Sequence, residues 1–365
     1  MGRSLDIAFY APMKPPDHPV PSGDRYMARM LMAALETAGH RVNLASRIRT
    51  WDGDGDPVSQ QDCRERGEFD AERLIDEWRC SGSPPDLWFT YHLYYKATDW
   101  IGPRVCAALG TPYVVAEASV AYKRVGGPWD LGHRQTLAAL ERAALIVTVN
   151  PKDAERLPEP EKSRMLPPFL DAGRFAEPRD KTNDPPILAA PAMMRHGDKL
   201  ASYRLLAESL GQIAEVPWTL RIYGDGPARS EVEEAFAGFP EGKIAFCGAV
   251  EEEELPELLA ACDLCVWPAV NEAYGMALLE AEAAGVPVVA GRSLGVPAVV
   301  ADGETGLLVE PNDAGAFAAA VKQLLDDPAR RAEMGRAAAE KVRRDHGLEA
   351  AARTLDGYIQ EILPE

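Results

Sequence analysis

The sequence predicts an α/β protein built from two Rossmann-like, doubly wound domains in series. Three observations carry this. Short apolar runs alternate with helical patterns along the chain, the signature of parallel sheets covered by helices. The alternation stops once, over Leu166–Pro186, and then begins again. The 365 residues exceed one ordinary core and suit two domains of about 150–200 residues each.

The first half opens with "DIAFYAP", a strand. "SGDRYMARMLMAALETAGH" is a helix, because Met27, Met30, Leu31, Ala34, Leu35 and Ala38 recur at 3–4 spacing. Ser22 or Asp24 can cap its start, and Gly39 suits its end. "RVNLAS", "DLWFTYH", "PYVVAE" and "ALIVTVN" read as further strands with helices between them. The stretch Leu166–Pro186 is rich in proline and charge and lacks periodicity, so it reads as a linker. Beyond it, strands are expected at "PILAAPA", "TLRIYG", "KIAFCG", "LCVWPA" and "PVVAG". Two helical stretches close the chain, the second running through "PARRAEMGRAAAEKVRRDHGLEAAARTLDGYIQEIL". The expected domains are residues 1–170 and 171–345, with a ligand cleft between them.

Composition excludes several classes. The apolar fraction of 46% is ordinary for a soluble globular chain, and no apolar run approaches the ~18 residues of a membrane helix. "MGRSLDIAFYAP" lacks the long apolar core of a signal peptide, which places the chain in the cytoplasm. A net charge of −18 argues against nucleic acid. The charge is uneven: residues 1–50 carry a net +3 and residues 251–365 a net −13, so an anionic ligand meets a kinder field near the N-terminal segment. Cys262 and Cys265 form a C-x-x-C with no second pair or histidine to complete a metal set, and read as small buried thiols. "WDGDGDP" resembles a calcium loop, but counting from Asp52 the sixth and twelfth positions hold Pro57 and Cys63. A solvated turn is the better reading, and no metal is expected.

Chemistry concentrates in "NEAYGMALLEAEAAGVPVVAG". Glu272 falls in the exit loop of the "LCVWPA" strand, and Gly275 opens a helix whose first amides, around Gly275, Met276 and Ala277, offer a phosphate site. Glu280 lies about 7.5 Å further along that helix, roughly the distance from a diphosphate to the ribose of the same nucleotide. The bland alternative is two helix-terminal charges, and Glu282 reads as an unremarkable glutamate of the same helix. Upstream, Arg195 and Lys199 in "MMRHGDK" can clamp a diphosphate, or serve only as loop cations. Gly224 and Gly226 form a second glycine turn in "YGDGPA", short of a full dinucleotide fingerprint. In the first domain Ser22 and Gly23 start a helix in a way that suits close approach to phosphate or sugar, with Arg25 and Arg29 on one face nearby. His92 follows a buried-type strand and can bind a sugar hydroxyl or act as acid and base; His40 and His346 read as structural.

Together these pieces resemble the family-4 retaining glycosyltransferases of the GT-B fold. Glu272 and Glu280 match the E-x7-E motif of that family, "DGETGLLVEPND" matches the segment that follows it, "MRHGDK" its Arg/Lys clamp, and "AGHRV" its helix-to-strand turn. The likeness is densest over about 190–315. It implies transfer of a sugar from a nucleotide diphosphate sugar to a hydroxyl acceptor with retention, and no metal. By that resemblance Glu272 holds donor-sugar hydroxyls and Gly275, Met276 and Ala277 offer amides. Glu280 binds ribose, Arg195 and Lys199 stabilise the leaving diphosphate, and His92 orients a sugar. Ser22, Gly23, Gly224 and Gly226 count on the donor side, Arg25 and Glu117 on the acceptor side, and the final helix, 346–365, returns to the first domain.

Two departures touch the acceptor side: "SGDR" replaces a glycine pair, and "SLGVPA" carries Leu294 and Ala298 where the family has glycine and glutamate. Rival readings are a nucleotide-sugar epimerase or phosphorylase of the same fold, or a non-catalytic nucleotide-sugar binder. No pyridoxal-phosphate lysine motif is evident for a phosphorylase, and a dehydrogenase lacks its fingerprint. The arginines of the first helix also leave room for a peripheral membrane contact.

Overall fold

The computed structural model describes residues 3–20, 22–149, 151–178 and 182–363. The chain divides into two compact units, Met1–Leu166 together with Leu348–Glu365, and Pro167–Gly347.

The first unit runs β1 (Asp6–Tyr10), α1 (Gly23–Thr37), β2 (Arg41–Leu44), α2 (Pro57–Ser81), β3 (Leu87–Tyr94), α3 (Gly102–Leu109), β4 (Tyr113–Ser119), α4 (Asp130–Arg142), β5 (Leu145–Thr148), α5 (Pro151–Ala154) and β6 (Ser163–Met165). Its sheet is parallel, in the order β2-β1-β3-β4-β5-β6. Helix starts follow local chemistry. The Ser22 side chain accepts from Arg25 N, and Asp56 caps α2 by accepting from Val58 N and Ser59 N, with Pro57 in the first turn. Asp52 departs from its expected solvation: it is buried, and its carboxylate accepts from the amides of Asp54 and Gly55. That turn is satisfied from within rather than by water.

The second unit runs β7 (Ile187–Pro191), α6 (Asp198–Gly211), β8 (Thr219–Tyr223), α7 (Arg229–Phe236), β9 (Ile244–Gly248), α8 (Leu255–Ala260), β10 (Leu264–Trp267), α9 (Met276–Ala283), β11 (Val288–Gly291), α10 (Val296–Val299), β12 (Gly306–Val309), α11 (Ala314–Asp326) and α12 (Pro328–Asp345). Its parallel sheet has the order β12-β11-β10-β7-β8-β9, the Rossmann arrangement. Cys262 and Cys265 are free, buried thiols inside its core. Among its described residues the expected linker is irregular apart from a 3₁₀ turn, Ala172–Arg174, and an isolated parallel bridge from Leu170 to Gly347; its residues 179–181 lie outside the described residues.

The closing helical stretch is two helices. His346 and Gly347 interrupt it, and α13 (Leu348–Ile362) follows. The break has local causes: the buried His346 ring bonds the Pro168 carbonyl, and the His346 carbonyl accepts from Leu170 N. Helix α13 then packs against α1, where Asp356 lies 3.5 Å from buried His40. Residues 364–365 of the expected return lie outside the described residues. No helix among the described residues is long and apolar enough to cross a membrane.

Candidate functional site

In the second sheet β7 pairs with β8 on one side and β10 on the other, so the strand order reverses between β7 and β10. Ligands of open parallel sheets settle beyond the carboxyl ends of the strands at such a reversal. The loop after β7 leads through Arg195 to Lys199 at the start of α6, and the loop after β10 carries Glu272 and Gly275. The fold therefore brings the two sequence motifs, more than seventy positions apart, to one edge.

Three bonds join the start of α6 to the loop after β10, and a fourth ties Glu272 to its own strand. Lys199 Nζ donates to Glu272 Oε2 at 2.5 Å, and Trp267 Nε1 donates to the same oxygen at 3.2 Å. Asn271 Nδ2 donates to Asp198 Oδ1 at 3.0 Å, and Val270 N to Ser202 Oγ at 3.0 Å. The Lys199 ammonium also stands 5.4 Å over the Trp267 ring. Arg195 is exposed and stays outside this network. Ala269 and Asn271 hold φ of 56° and 50°, left-handed values that cost a residue with a Cβ about 1 kcal/mol or more. Such strain gathers at binding sites, and here it sets Glu272 in place.

Gly275, at φ 74°, starts α9, and no side chain caps the helix. The amides of Met276 and Ala277 thus head the first turn, where a helix favours an anion. Glu280 is the fifth residue of α9 and half-buried. Burial pushes its carboxyl up to about 7, Glu252 adds to the rise, and Arg174 opposes it. Arg174 is itself bonded to Glu252 at 2.6 Å.

Gly224 and Gly226 support the Arg195 loop from beneath. A Cβ on Gly224 would lie 1.9 Å from the Ala192 carbonyl oxygen, and one on Gly226 2.4 Å from that of Met194. Backbone bonds from Ala192 N to Tyr223 O, Met194 N to Asp225 O and Ala228 N to Met194 O, each 2.9 Å, stitch the two turns together. Gly295 makes a similar close approach, 2.0 Å from the Ala273 oxygen, while Leu294 beside it is exposed at φ 32°.

Glu282 overturns its reading as unremarkable. It is fully buried, accepts from Thr305 Oγ1 at 2.5 Å and lies 3.9 Å from Lys341 Nζ. Burial pushes its carboxyl to about 8, against the pull of Lys341 and Thr305. Lys341 reaches Val299 O and stands 3.0 Å from the His346 ring, so a chain of buried polar groups runs from α9 to the end of α12.

The first sheet reverses between β1 and β3. The loop after β1 leads to Ser22, Gly23 and Asp24, and His92 stands near the end of β3. His92 does not follow the strand as expected. It lies within β3 at φ 61°, which turns its ring to Nδ1 contact with Asp24 Oδ1 at 2.7 Å. Burial opposes the imidazolium, but the Asp24 bond and the charges of Glu117, Asp24 and Asp153 outweigh it and hold His92 above its ordinary value. Glu117 sits in β4 at φ 58°, its carboxyl raised by burial against the pull of His92. A Cβ on Gly23 would meet nothing within 4 Å, so the start of α1 is open. Arg25 serves the protein itself: its Nη1 donates to the carbonyls of His18 at 3.0 Å and Pro19 at 3.3 Å. Arg29 likewise holds Pro16 O. Sequence reasoning missed Asp24 as a partner of His92; a carboxylate beside a helix start reads first as a cap.

Both units are parallel-sheet, Rossmann-like domains of the kind that define the GT-B fold. A glycosyltransferase from Rickettsia africae superposes over 99% of both chains with a TM-score of 0.74 at 16% identity. An Anabaena protein, HepE, solved in complex with UDP-glucose, covers 98% of this chain and 100% of its own with a TM-score of 0.67 at 15% identity. At such identities the likeness is one of fold. Residues 186–327, which hold Arg195, Lys199, Glu272 and Glu280, match the family described as glycosyl transferases group 1. Over 115 residues the chain is 41% identical to the D-inositol 3-phosphate glycosyltransferase of Streptomyces avermitilis, a stretch covering 32% of this chain and 25% of that protein. The chain spans about a quarter of the length of the curated relatives it matches.

Proposed function

We propose that this protein is a retaining glycosyltransferase that moves a hexosyl group from a nucleoside diphosphate sugar to a hydroxyl acceptor, with no metal in the chemical step. The observation that carries the reading is the Lys199–Glu272 pair beside the uncapped start of α9, with Glu280 further along the same helix. The Met276 and Ala277 amides receive the diphosphate, and Glu280 accepts from the ribose hydroxyls. Glu272 takes hydroxyls of the donor sugar, which leaves the Lys199 ammonium to meet the charge that develops on the leaving diphosphate. Arg195, exposed in the same loop, adds a second cation. Gly224 and Gly226 keep that loop at its height.

In the reaction the bond from the anomeric carbon to the diphosphate oxygen breaks, and a bond to the acceptor oxygen forms on the same face. The acceptor proton passes to the departing diphosphate. Acceptor binding is assigned to the first unit, where Asp24 and His92 present a hydrogen-bonding pair near the open start of α1. A thermal-shift screen against UDP-, GDP- and ADP-sugars tests the donor site, because a ligand that binds the folded state raises the midpoint. A donor that shifts the midpoint is then followed by NMR for the anomeric configuration of its product, with and without EDTA. No shift with any nucleotide sugar refutes the reading, and an inverted product refutes retention. Free nucleotide and sugar without an acceptor would favour the epimerase alternative.

A further inference from the structure

The loops after β2, β3 and β4 all leave the same edge of the first sheet, the edge that carries His92. They form one rigid block. Trp51 pairs with Ala97, Asp52 N donates to Lys96 O at 2.8 Å, and Trp129 Nε1 donates to Asp52 O at 3.2 Å. Gly132 approaches so closely that a Cβ there would lie 2.2 Å from the Tyr95 oxygen.

Three cations stand on the aromatic rings of this block. Arg49 packs 4.9 Å from the Trp51 ring centre, Lys96 4.7 Å from that of Trp129, and Arg124 4.9 Å from Tyr95 and 4.8 Å from Trp129. Their protein hydrogen bonds go to neutral oxygens: Arg49 Nε to Met13 O, Lys96 Nζ to Gly53 O, and Arg124 Nη2 to Tyr95 OH. Among the described residues none of the three makes an ion pair, whereas Arg41, Arg47, Arg64, Arg73 and Arg104 of the same unit are each matched to a carboxylate. The buried Asp52 carboxylate beneath them is occupied by its own turn. A cation held on a ring keeps N–H groups free and is aligned before a ligand arrives, which favours a planar or tetrahedral oxyanion.

Ring contacts link this block to His92: Tyr94 stacks on His92 at 5.0 Å, Tyr95 meets Tyr94 at 5.5 Å, and Trp129 meets Tyr95 at 5.7 Å. We propose that Lys96 and Arg124, with Arg49 beside them, form the acceptor subsite for an oxyanion, a phosphate or carboxylate carried by the acceptor. The inference rests on the glycosyltransferase reading for the word acceptor, but the subsite can be measured without any donor. The His92 end, ringed by Asp24, Glu117 and Asp153, then takes the neutral hydroxyl end of the same molecule. The arrangement sorts acceptors by charge: cations at one end, carboxylates at the other.

Calorimetry on the full chain with glucose, a hexose phosphate and glucuronate tests this directly. At least one anionic sugar should bind about tenfold more tightly than glucose, and the better of the two identifies the oxyanion. The double variant Lys96→Gln/Arg124→Gln should erase that preference, while Arg124→Lys, which keeps the charge, should retain part of it. Circular dichroism verifies folding of each variant. Equal binding of all three sugars, or a preference that survives the double variant, overturns the proposal. So does co-sedimentation with phosphatidylglycerol vesicles that the double variant abolishes, if the soluble anions show no preference; the cations would then serve a membrane surface. If no nucleotide sugar binds yet the anion preference is found, the oxyanion subsite stands and the donor reading fails.

Discussion

Glu280 offers a test in which binding and stability move in opposite directions. Its carboxyl is raised from the ordinary 4.5 to about 7, first by burial, then by Glu252, against Arg174. Between those values the folded state binds a proton that the unfolded state releases, so the stability from this group is full below pH 4.5 and lost as pH rises through 7. The shift of about 2.5 units corresponds to at most ~3 kcal/mol at pH 8. Glu280→Gln should remove that penalty and raise the thermal midpoint at pH 8 by several degrees. Ribose hydroxyls donate to the ionised carboxylate, so donor binding should require the form that burial disfavours. From pH 7.5 to 5.5 the ionised fraction falls about 25-fold, and wild-type affinity for the best nucleotide sugar should fall about as much. A sugar nucleotide is the right probe because its diphosphate does not titrate in this window. Calorimetry at several pH values reads the slope, and Glu280→Gln should bind weakly with no slope. A flat wild-type profile, or the same slope in the variant, would refute the ribose assignment.

Other outcomes follow from particular contacts. Lys199→Ala should lower turnover about 10²–10³-fold in a donor-saturated assay while the fold persists, since it removes a charge that acts on the leaving group; wild-type turnover would sink that role. Gly224→Ala sets a Cβ 1.9 Å from the Ala192 oxygen at φ +155°, and should cost about 3 kcal/mol or more in urea unfolding. Asp24→Asn should lower the NMR titration midpoint of His92, because the bond to Asp24 leads the causes that raise it. In the wild type that pair stabilises the protein between the two titrations: its contribution fades as pH rises through the raised His92 midpoint, and is lost again as pH falls through the lowered value of Asp24.

Much of the fold was legible because buried parallel strands are short apolar runs and the helices between them keep a 3–4 period. Strand β6 escaped, being three residues long, too short for a pattern to emerge, and β12 was read only as part of the segment that follows the E-x7-E motif. The E-x7-E spacing placed Glu272 and Glu280 on a loop and a helix, as the structure has them. What stayed hidden depended on distant residues. Glu282 looks like its neighbours in sequence, and only Thr305 and Lys341, 23 and 59 positions away, show that it is buried and paired. The left-handed turn that aims His92 at Asp24 lies inside an apolar strand with no glycine to signal it. Arg25 read as a ligand contact because sequence cannot show that a nearby loop folds back to use it.

The return of α13 has a consequence for how the protein is made. The second unit is one continuous stretch, Pro167–Gly347, and can close its sheet as soon as it has emerged from the ribosome. The first unit is begun earlier but lacks the helix that packs on α1 until Leu348–Ile362 has been synthesised. At ~5–20 residues per second it waits on the order of ten seconds or more with the α13-facing side of α1 bare. Shortening the chain by its last fifteen or so residues would therefore damage the half that was translated first.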